Sequence, residues 1–375
     1  MARLVEYIDT SASGGGDGSE SDPYENLQEA IDTSAGPGTY GAVAWLCKGS
    51  ETIDSAGLDW SSCTWVTSPR LLIQGYDTTP GDGGLYEIDV NGSTWSEDAV
   101  DDIIFHSLGV TNPGATATSF IALNSYAVAV VNCHFSDFNT DTRVVHVGKT
   151  NCWVGGCSFT DINARCIDGP HAVYGCLFYN SGTRTITECM NDGPSDITNC
   201  MFALSDGSNG INTEIARNIT NNSFYCSDAT GYAVRLYKGM NRCLSNVIEG
   251  FSVGIELTNY AYATKGIIEA NSIYNCTQNA GDSSTAAPAN LTHGQWRIIG
   301  DSGGLGVANE NLSASPFAKS GSVSWANRRA YFEPQDEGSV LGGCPLTGNS
   351  RGAIQLTSSG SGSSVIPARP IQIGA

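Results

Sequence analysis

Positive charge is scarce in this chain. Its 375 residues hold 18 Lys and Arg against 38 Asp and Glu, a net charge of −20, and only five of the cations are Lys. That balance excludes a nucleic-acid backbone or an anionic membrane surface as partner. It suits an exposed, solvated surface. No apolar run reaches the length of a membrane-spanning helix. Residues 1–30 hold no basic segment followed by an apolar one, so no secretory signal peptide is expected; if Met1 is the true start, the expectation is synthesis and retention in the cytoplasm, or release by lysis. Helical repeats are excluded too, because the repeating part of the chain has no amphipathic stretch of about ten residues. Thirteen Cys is an odd number, and no Cys-x-x-Cys or Cys/His grouping has zinc-site spacing. The cysteines fall largely in apolar columns and are read as free, reduced core thiols. No metal site and no cofactor is expected.

What is present is a short phrase that recurs eight times. Its last residues are Val110, Phe135, Phe159, Phe178, Phe202, Phe224, Ile248 and Ile273, at steps of 25, 24, 19, 24, 22, 24 and 25. A period in this range marks a solenoid. The segments are short, rich in Val, Ile, Phe and Thr, and broken by Gly, Asn, Asp and Ser, which is strand-and-turn chemistry. Each coil therefore gives at least two short strands that stack in parallel on the next coil. The positions five before the end and at the end of each phrase form two inward columns. The position two before the end reads Leu108, Cys133, Cys157, Cys176, Cys200, Asn222, Asn246, Asn271. It is expected to be a bend ladder of mutually bonded Asn side chains, with Cys as a small buried substitute. A further apolar column is expected at Val145, Cys166, Cys189, Ile215, Leu236 and Leu257, with an outward column at Val144, Arg165, Glu188, Glu214, Arg235 and Glu256.

These phrases, with their Ile-x-x-Asn-x-Phe pattern and Asn ladder, resemble the right-handed parallel β-helix superfamily typified by pectate lyases. The ends are similar to a narrower group of β-helix proteins of bacteriophages and environmental bacteria. The residues that carry this are Tyr7-Ile-Asp-Thr10, Gly14-Gly-Gly-Asp-Gly18 and Pro23 to Ile31 at the start, and Ser350-Arg-Gly-Ala-Ile-Gln355 at the end. The resemblance implies an all-β fold, a single-stranded right-handed parallel β-helix with an N-terminal capping helix and an extended C-terminal tail. The handedness comes from the resemblance alone. Asp22 as N-cap and Pro23 as first helical residue suit that capping helix, with Leu27, Ala30 and Ile31 on its inner face.

The expected organisation is an opening strand and capping helix over 1–35, a parallel β-helix over 36–355, and a Gly/Ser linker with a docking tail over 356–375. Residues 279–290 read as a loop that interrupts the period, and Trp296–Ile299 as a later strand. The linker leads to Val365-Ile-Pro-Ala-Arg-Pro-Ile-Gln-Ile-Gly374, which could fray or dock on a neighbour.

No catalytic set is evident from spacing. The weak candidates are Asp137 and Asp161, each two residues past a repeat Phe and so stacked on neighbouring coils, with Asn180 next in the column. Such a pair could share a cation or serve a glycosidase, yet Asp and Asn there are also ordinary turn formers. His146 and His171 show no acid partner in register and read as structural. The functional expectation is a non-enzymatic virion structural protein, displayed on a phage capsid or tail as a decoration, vertex or fibre component. Its partners would be other virion proteins, reached through the C-terminal tail, with a host-surface glycan or a homo-oligomer also open. It would be made in the host cytoplasm and end on the virion surface. The alternatives are a carbohydrate-active enzyme (a tailspike depolymerase or polysaccharide lyase) and a bacterial surface adhesin.

Overall fold

A computed structural model describes residues 3–34, 41–54, 56–60, 70–93, 102–112, 120–123, 127–139, 143–147, 151–163, 165–169, 172–182, 184–191, 196–213, 218–236, 242–258, 267–282, 289–290, 310–311, 314–319, 321–324 and 326–333. The chain is a parallel β-solenoid and divides into two compact units, residues 1–171 and 172–375. The closing phrase, the linker, the tail, Trp296–Ile299 and His171 lie outside the described residues.

In unit 1 three parallel ladders build the walls. The first stacks Leu4–Asp9, Ala42–Lys48, Arg70–Gly75, Asp102–His106, Ala127–Val131 and Asn151–Gly155. The second stacks Ser50–Thr52, Tyr86–Asp89, Leu108–Thr111, His134–Ser136 and Ser158–Thr160. Among the described residues the third begins at Ile121–Leu123 and continues with Arg143–Val147 and Arg165–Asp168. The open edge of Leu4–Asp9 would invite another strand, and it is sealed by the chain's own return. Tyr7 N–H donates to Gly18, Asp9 N–H to Tyr24, and Tyr24 N–H to Tyr7, at 2.9, 2.9 and 3.0 Å.

Helix α1 (Leu27–Thr33) covers this end, burying Leu27, Ala30 and Ile31 as expected. It starts later than Asp22 and Pro23 suggest. Its N-cap is Asn26, whose side chain accepts from Glu29 N–H at 2.8 Å. The reason is local: Tyr24 is held extended beside Ile8, and the Asp22 carbonyl is taken by Asp17 and Gly18. Beneath the helix Glu6 is buried and accepts from Tyr24 Oη (3.1 Å), Ser34 Oγ (2.8 Å) and Trp45 Nε1 (3.0 Å).

Unit 2 repeats the plan. Its first ladder is Ala172–Tyr174, Asp196–Thr198, Asn218–Thr220, Arg242–Leu244 and Ile267–Glu269. Its second is Leu177–Tyr179, Met201–Leu204, Ser223–Cys226, Val247–Glu249, Ser272–Tyr274 and Glu310–Asn311. Its third is Glu188–Asn191, Ile211–Thr213, Tyr232–Leu236, Val253–Leu257 and Gln278–Asp282. Where a loop was expected over 279–290, Gln278–Asp282 continues the ladder and Ala289–Asn290 pairs with it antiparallel. Residues 314–319, 321–324 and 326–333, with helix α2 (Arg328–Tyr331), strap the outer face of the second ladder. Phe317 and Phe332 pack there on Leu177, Met201, Ala203 and Val247. Lys319 Nζ and Ser315 Oγ both donate to the buried Glu249 carboxylate.

The repeat columns fall as the sequence orders them. Phe135 pairs with Phe159, and Phe178, Phe202, Phe224, Ile248 and Ile273 succeed each other in unit 2. Their rings stack at 4.9 Å (Phe135–Phe159), 4.9 Å (Phe178–Phe202) and 4.3 Å (Phe202–Phe224). The bend ladder is also present. Asn222, Asn246 and Asn271 donate from Nδ2 to the carbonyls of Ile197, Ile219 and Cys243, one coil back, at 3.1, 3.0 and 2.8 Å. The thiols of Cys133, Cys157 and Cys200 reach the equivalent carbonyls of Phe105, Val130 and Val173 at 3.7, 3.4 and 3.7 Å. Cys therefore keeps the direction of the Asn bond with a weaker donor. All eleven described cysteines are free, and all but Cys276 are buried.

The residue before each ladder position carries a left-handed backbone: Ser107, Asn132 and Gly156 in unit 1, and Gly175, Asn199, Asn221, Ser245 and Ala270 in unit 2. One such residue turns the chain from the first ladder into the second. This position disfavours β-branched side chains most. Gly156→Asn is thus expected to stay within about 1 kcal/mol of the parent and Gly156→Val to lose about 2 kcal/mol more, by urea unfolding. A Cβ of either meets Asn132 Oδ1 at 2.5 Å, so the comparison isolates the backbone effect.

The third ladder corrects the expected columns. Val145 pairs with Ile167, not Cys166, and Met190, Ile211, Val234 and Ile255 form an inward row, while Leu236 and Leu257 of the expected column do pair with each other. Ile211, four residues before Ile215, takes the inward position because a shorter turn precedes it. Glu214 and Ile215 lie outside the described residues. Of the expected outward column, Arg235 and Glu256 do pair, whereas Arg165 pairs with Arg143, and Val144 and Glu188 are buried.

Candidate functional site

The register shift in the third ladder of unit 1 brings together residues that the sequence kept apart. His146 and Asp168 occupy the same row of neighbouring strands. Arg143 Nε contacts Asp168 Oδ2 at 2.7 Å, His146 Nδ1 lies 3.7 Å from the same oxygen, and Arg143 Nη1 is 3.1 Å from His146 Nδ1. His146 therefore does have an acid in register, contrary to the structural reading without one. The signal was hidden because Cys166 and Ile167 are equally apolar, so hydrophobicity alone could not fix which faces inward. Burial, then the Arg143 charge, hold the imidazole below its ordinary pKa, against the pull of Asp168. A neutral, partly exposed imidazole can accept a proton, and the Arg143–Asp168 ion pair orients it.

Asp137 and Asp161 stand on neighbouring rungs, since they directly follow the paired strands His134–Ser136 and Ser158–Thr160. Both are left-handed, at φ 59° and 51°, and Asp137 N–H donates to Thr160 at 3.3 Å. They are bend residues, a conformation that Asp and Asn tolerate better than most residues. Asp137 is exposed and Asp161 half-buried. Asn180 does something else. It is buried, and its amide joins Ser205, Ser208 and the Arg184 carbonyl.

A polar network occupies the third ladder of unit 2. Glu188 Oε1 accepts from Tyr232 Oη at 3.1 Å and from Asn212 Nδ2 at 2.6 Å, and Asn212 also reaches Asn191 at 3.3 Å. Arg235 lies 3.8 Å above the Tyr232 ring and pairs with Glu256. Burial first, and the Glu188 charge second, push the Tyr232 phenol far up. These groups brace one another across four strands.

A groove of about 650 Å³ flanks helix α1. One wall is made by residues 53–54 and 56–59, tied to the helix by Gln28, which donates to the Asp59 carbonyl at 3.0 Å and accepts from its N–H at 2.8 Å. Glu25, Asp32, Asp54 and Asp59 line it, and Glu51 forms its inner end. Glu51 Oε2 accepts from Leu27 N–H at 3.1 Å, and the Tyr86 hydroxyl adjoins the carboxyl without closing a regular hydrogen bond. Burial pushes Glu51 up to about 7. Among the described residues no group of three or more His, Cys, Asp or Glu is placed to hold a metal ion. No protein-family model matches the chain, and no curated protein matches it.

Proposed function

We propose that this chain is a non-enzymatic structural part of a virus particle, a rigid β-solenoid displayed on a bacteriophage capsid or tail. The finer kinship, a right-handed helix of the pectate-lyase-like superfamily close to phage proteins, belongs to the same proposal. One observation carries it. The carboxylates best placed for chemistry by sequence, Asp137 and Asp161, sit in left-handed bends where they serve the coil. The net charge of −20 suits an outer surface. The Gly/Ser stretch 358–364 and the apolar segment 365–374 offer a tether and an attachment strand to other virion proteins.

Truncation after Gln355 is expected to leave both units folded, by circular dichroism, and to abolish incorporation into particles. Truncated protein that incorporates at parental copy number would contradict the proposal. A second reading, carbohydrate cleavage, has the Arg143–His146–Asp168 cluster in its favour. It requires a polysaccharide that the parent cleaves and His146→Ala does not. The structural reading expects no cleavage by either, and full incorporation of Asp137→Asn/Asp161→Asn.

A further inference from the structure

The outer face of the first ladder differs between the two units. In unit 1 its central row is Val5, Ala44, Leu72, Ile104, Ala129 and Trp153, in register across six strands. At about 4.8 Å per strand the row is about 24 Å long. Val5 is 43% exposed, Leu72, Ile104 and Trp153 are half-buried, and the two alanines sink between them. In unit 2 the outward positions of the corresponding ladder include Asp196, Asn218 and Arg242, and Thr198 bonded to Thr220 at 3.1 Å. An apolar outward row is therefore not something the ladder needs.

Charge is the second difference. The chain carries −20 overall, yet the described charged side chains on this face of unit 1 are two cancelling pairs, Arg70–Asp102 at 2.8 Å and Asp9–Lys48 at 3.6 Å, and one further cation, Arg3, just before the first strand, while burial holds the outward His106 below its ordinary pKa. Elsewhere two copies would repel, and here they would not. Arg70 and Asp102 occupy one row on adjacent strands, and Arg70 is 71% exposed.

We infer that this wall is the surface on which a second copy of the chain packs, with the two copies of unit 1 face to face and antiparallel. A two-fold axis along the strands, between the Arg70 and Asp102 rungs, sets each Arg70 opposite the other copy's Asp102. The same axis lays each apolar row on its counterpart, at the spacing of packed sheets. A patch that complements itself in this way is what an isologous interface demands. The inference stands apart from the virion reading, since any role is compatible with a dimer.

Sedimentation velocity on the full chain, up to about 0.1 mM, tests it. A reversible dimer is expected. Arg70→Glu and Asp102→Arg each place like charges opposite one another, so each alone should weaken the dimer about tenfold or more. An equimolar mixture of the two should restore it, because each variant supplies the charge that the other lacks. Ile104→Glu should abolish it while leaving the thermal unfolding of the chain in place. A monomer at every concentration would overturn the inference. So would a self-association that ignores these substitutions, or single variants that weaken the dimer without rescue on mixing.

Discussion

Asn246→Ala is expected to destabilise unit 2 by about 3–5 kcal/mol, among the largest effects of any single substitution in the chain. Asn246 is fully buried. Its Oδ1 accepts from Asn222 N–H and Asn222 Nδ2, both at 3.0 Å, and its Nδ2 donates to the Ile219 carbonyl at 3.0 Å and to Asn271 Oδ1 at 2.9 Å. Alanine leaves the Asn222 N–H and the Ile219 carbonyl buried without these partners, and an unmade bond costs more than a made bond contributes. Coils in a solenoid depend on their neighbours, so the loss should spread to the adjoining coils. Urea unfolding with hydrogen exchange at the amides of 219–224 and 271–274 would measure it. A change below about 1 kcal/mol would show that the ladder is not a main support of the stack.

Glu51→Gln is expected to remove a pH dependence from the stability of unit 1. The carboxyl is raised from an ordinary 4.5 to about 7 by burial. A folded value above the unfolded one means that the fold prefers the protonated form. The contribution is complete below about pH 4.5, declines as pH rises, and is gone above about 7. The full span is about 3 kcal/mol as an upper bound. The parent should thus lose stability between about pH 4.5 and 7 relative to Glu51→Gln, and the variant should be the more stable protein at pH 8. Carboxyls held below their ordinary range, such as Asp9 and Asp228, act in the opposite direction in both proteins and cancel in the comparison. Urea unfolding across pH gives the answer, and parallel profiles for the two proteins would contradict it. Glu51 lies beside the buried Tyr86 and Cys47 and bonds the first residue of helix α1, so the effect belongs to the helix-capped end.

The parts legible in the sequence were those that repeat. Each phrase ends on a residue whose neighbours one coil away are of its own kind, so the repeat alone sets Phe135, Phe159 and the later members in one column. Their pairing in the fold is that alignment. The Asn and Cys ladder was legible for the same reason. The third ladder was not, because the turns before it vary in length and its strands are uniformly apolar, as in Arg165–Asp168. One residue of slip there moved Asp168 beside His146 and hid the most chemically capable cluster. The strap of Phe317, Tyr331 and Phe332 was invisible because its aromatic residues have no period. Only the outward apolar positions Leu177, Met201 and Val247 hinted that something must cover them. The helix start was misplaced because Pro23 fits a first helical turn, whereas the edge of the opening strand claims Tyr24.

The most direct measurement of the proposed role is peptide mass spectrometry on purified virus-sized particles from the source culture, with copy number taken against the major shell protein. A stoichiometric presence, at shell, vertex or tail number, is the predicted result and would distinguish capsid from tail. Absence from particles, with the protein free in lysate or medium, would contradict the virion role and turn attention to polysaccharide cleavage at His146.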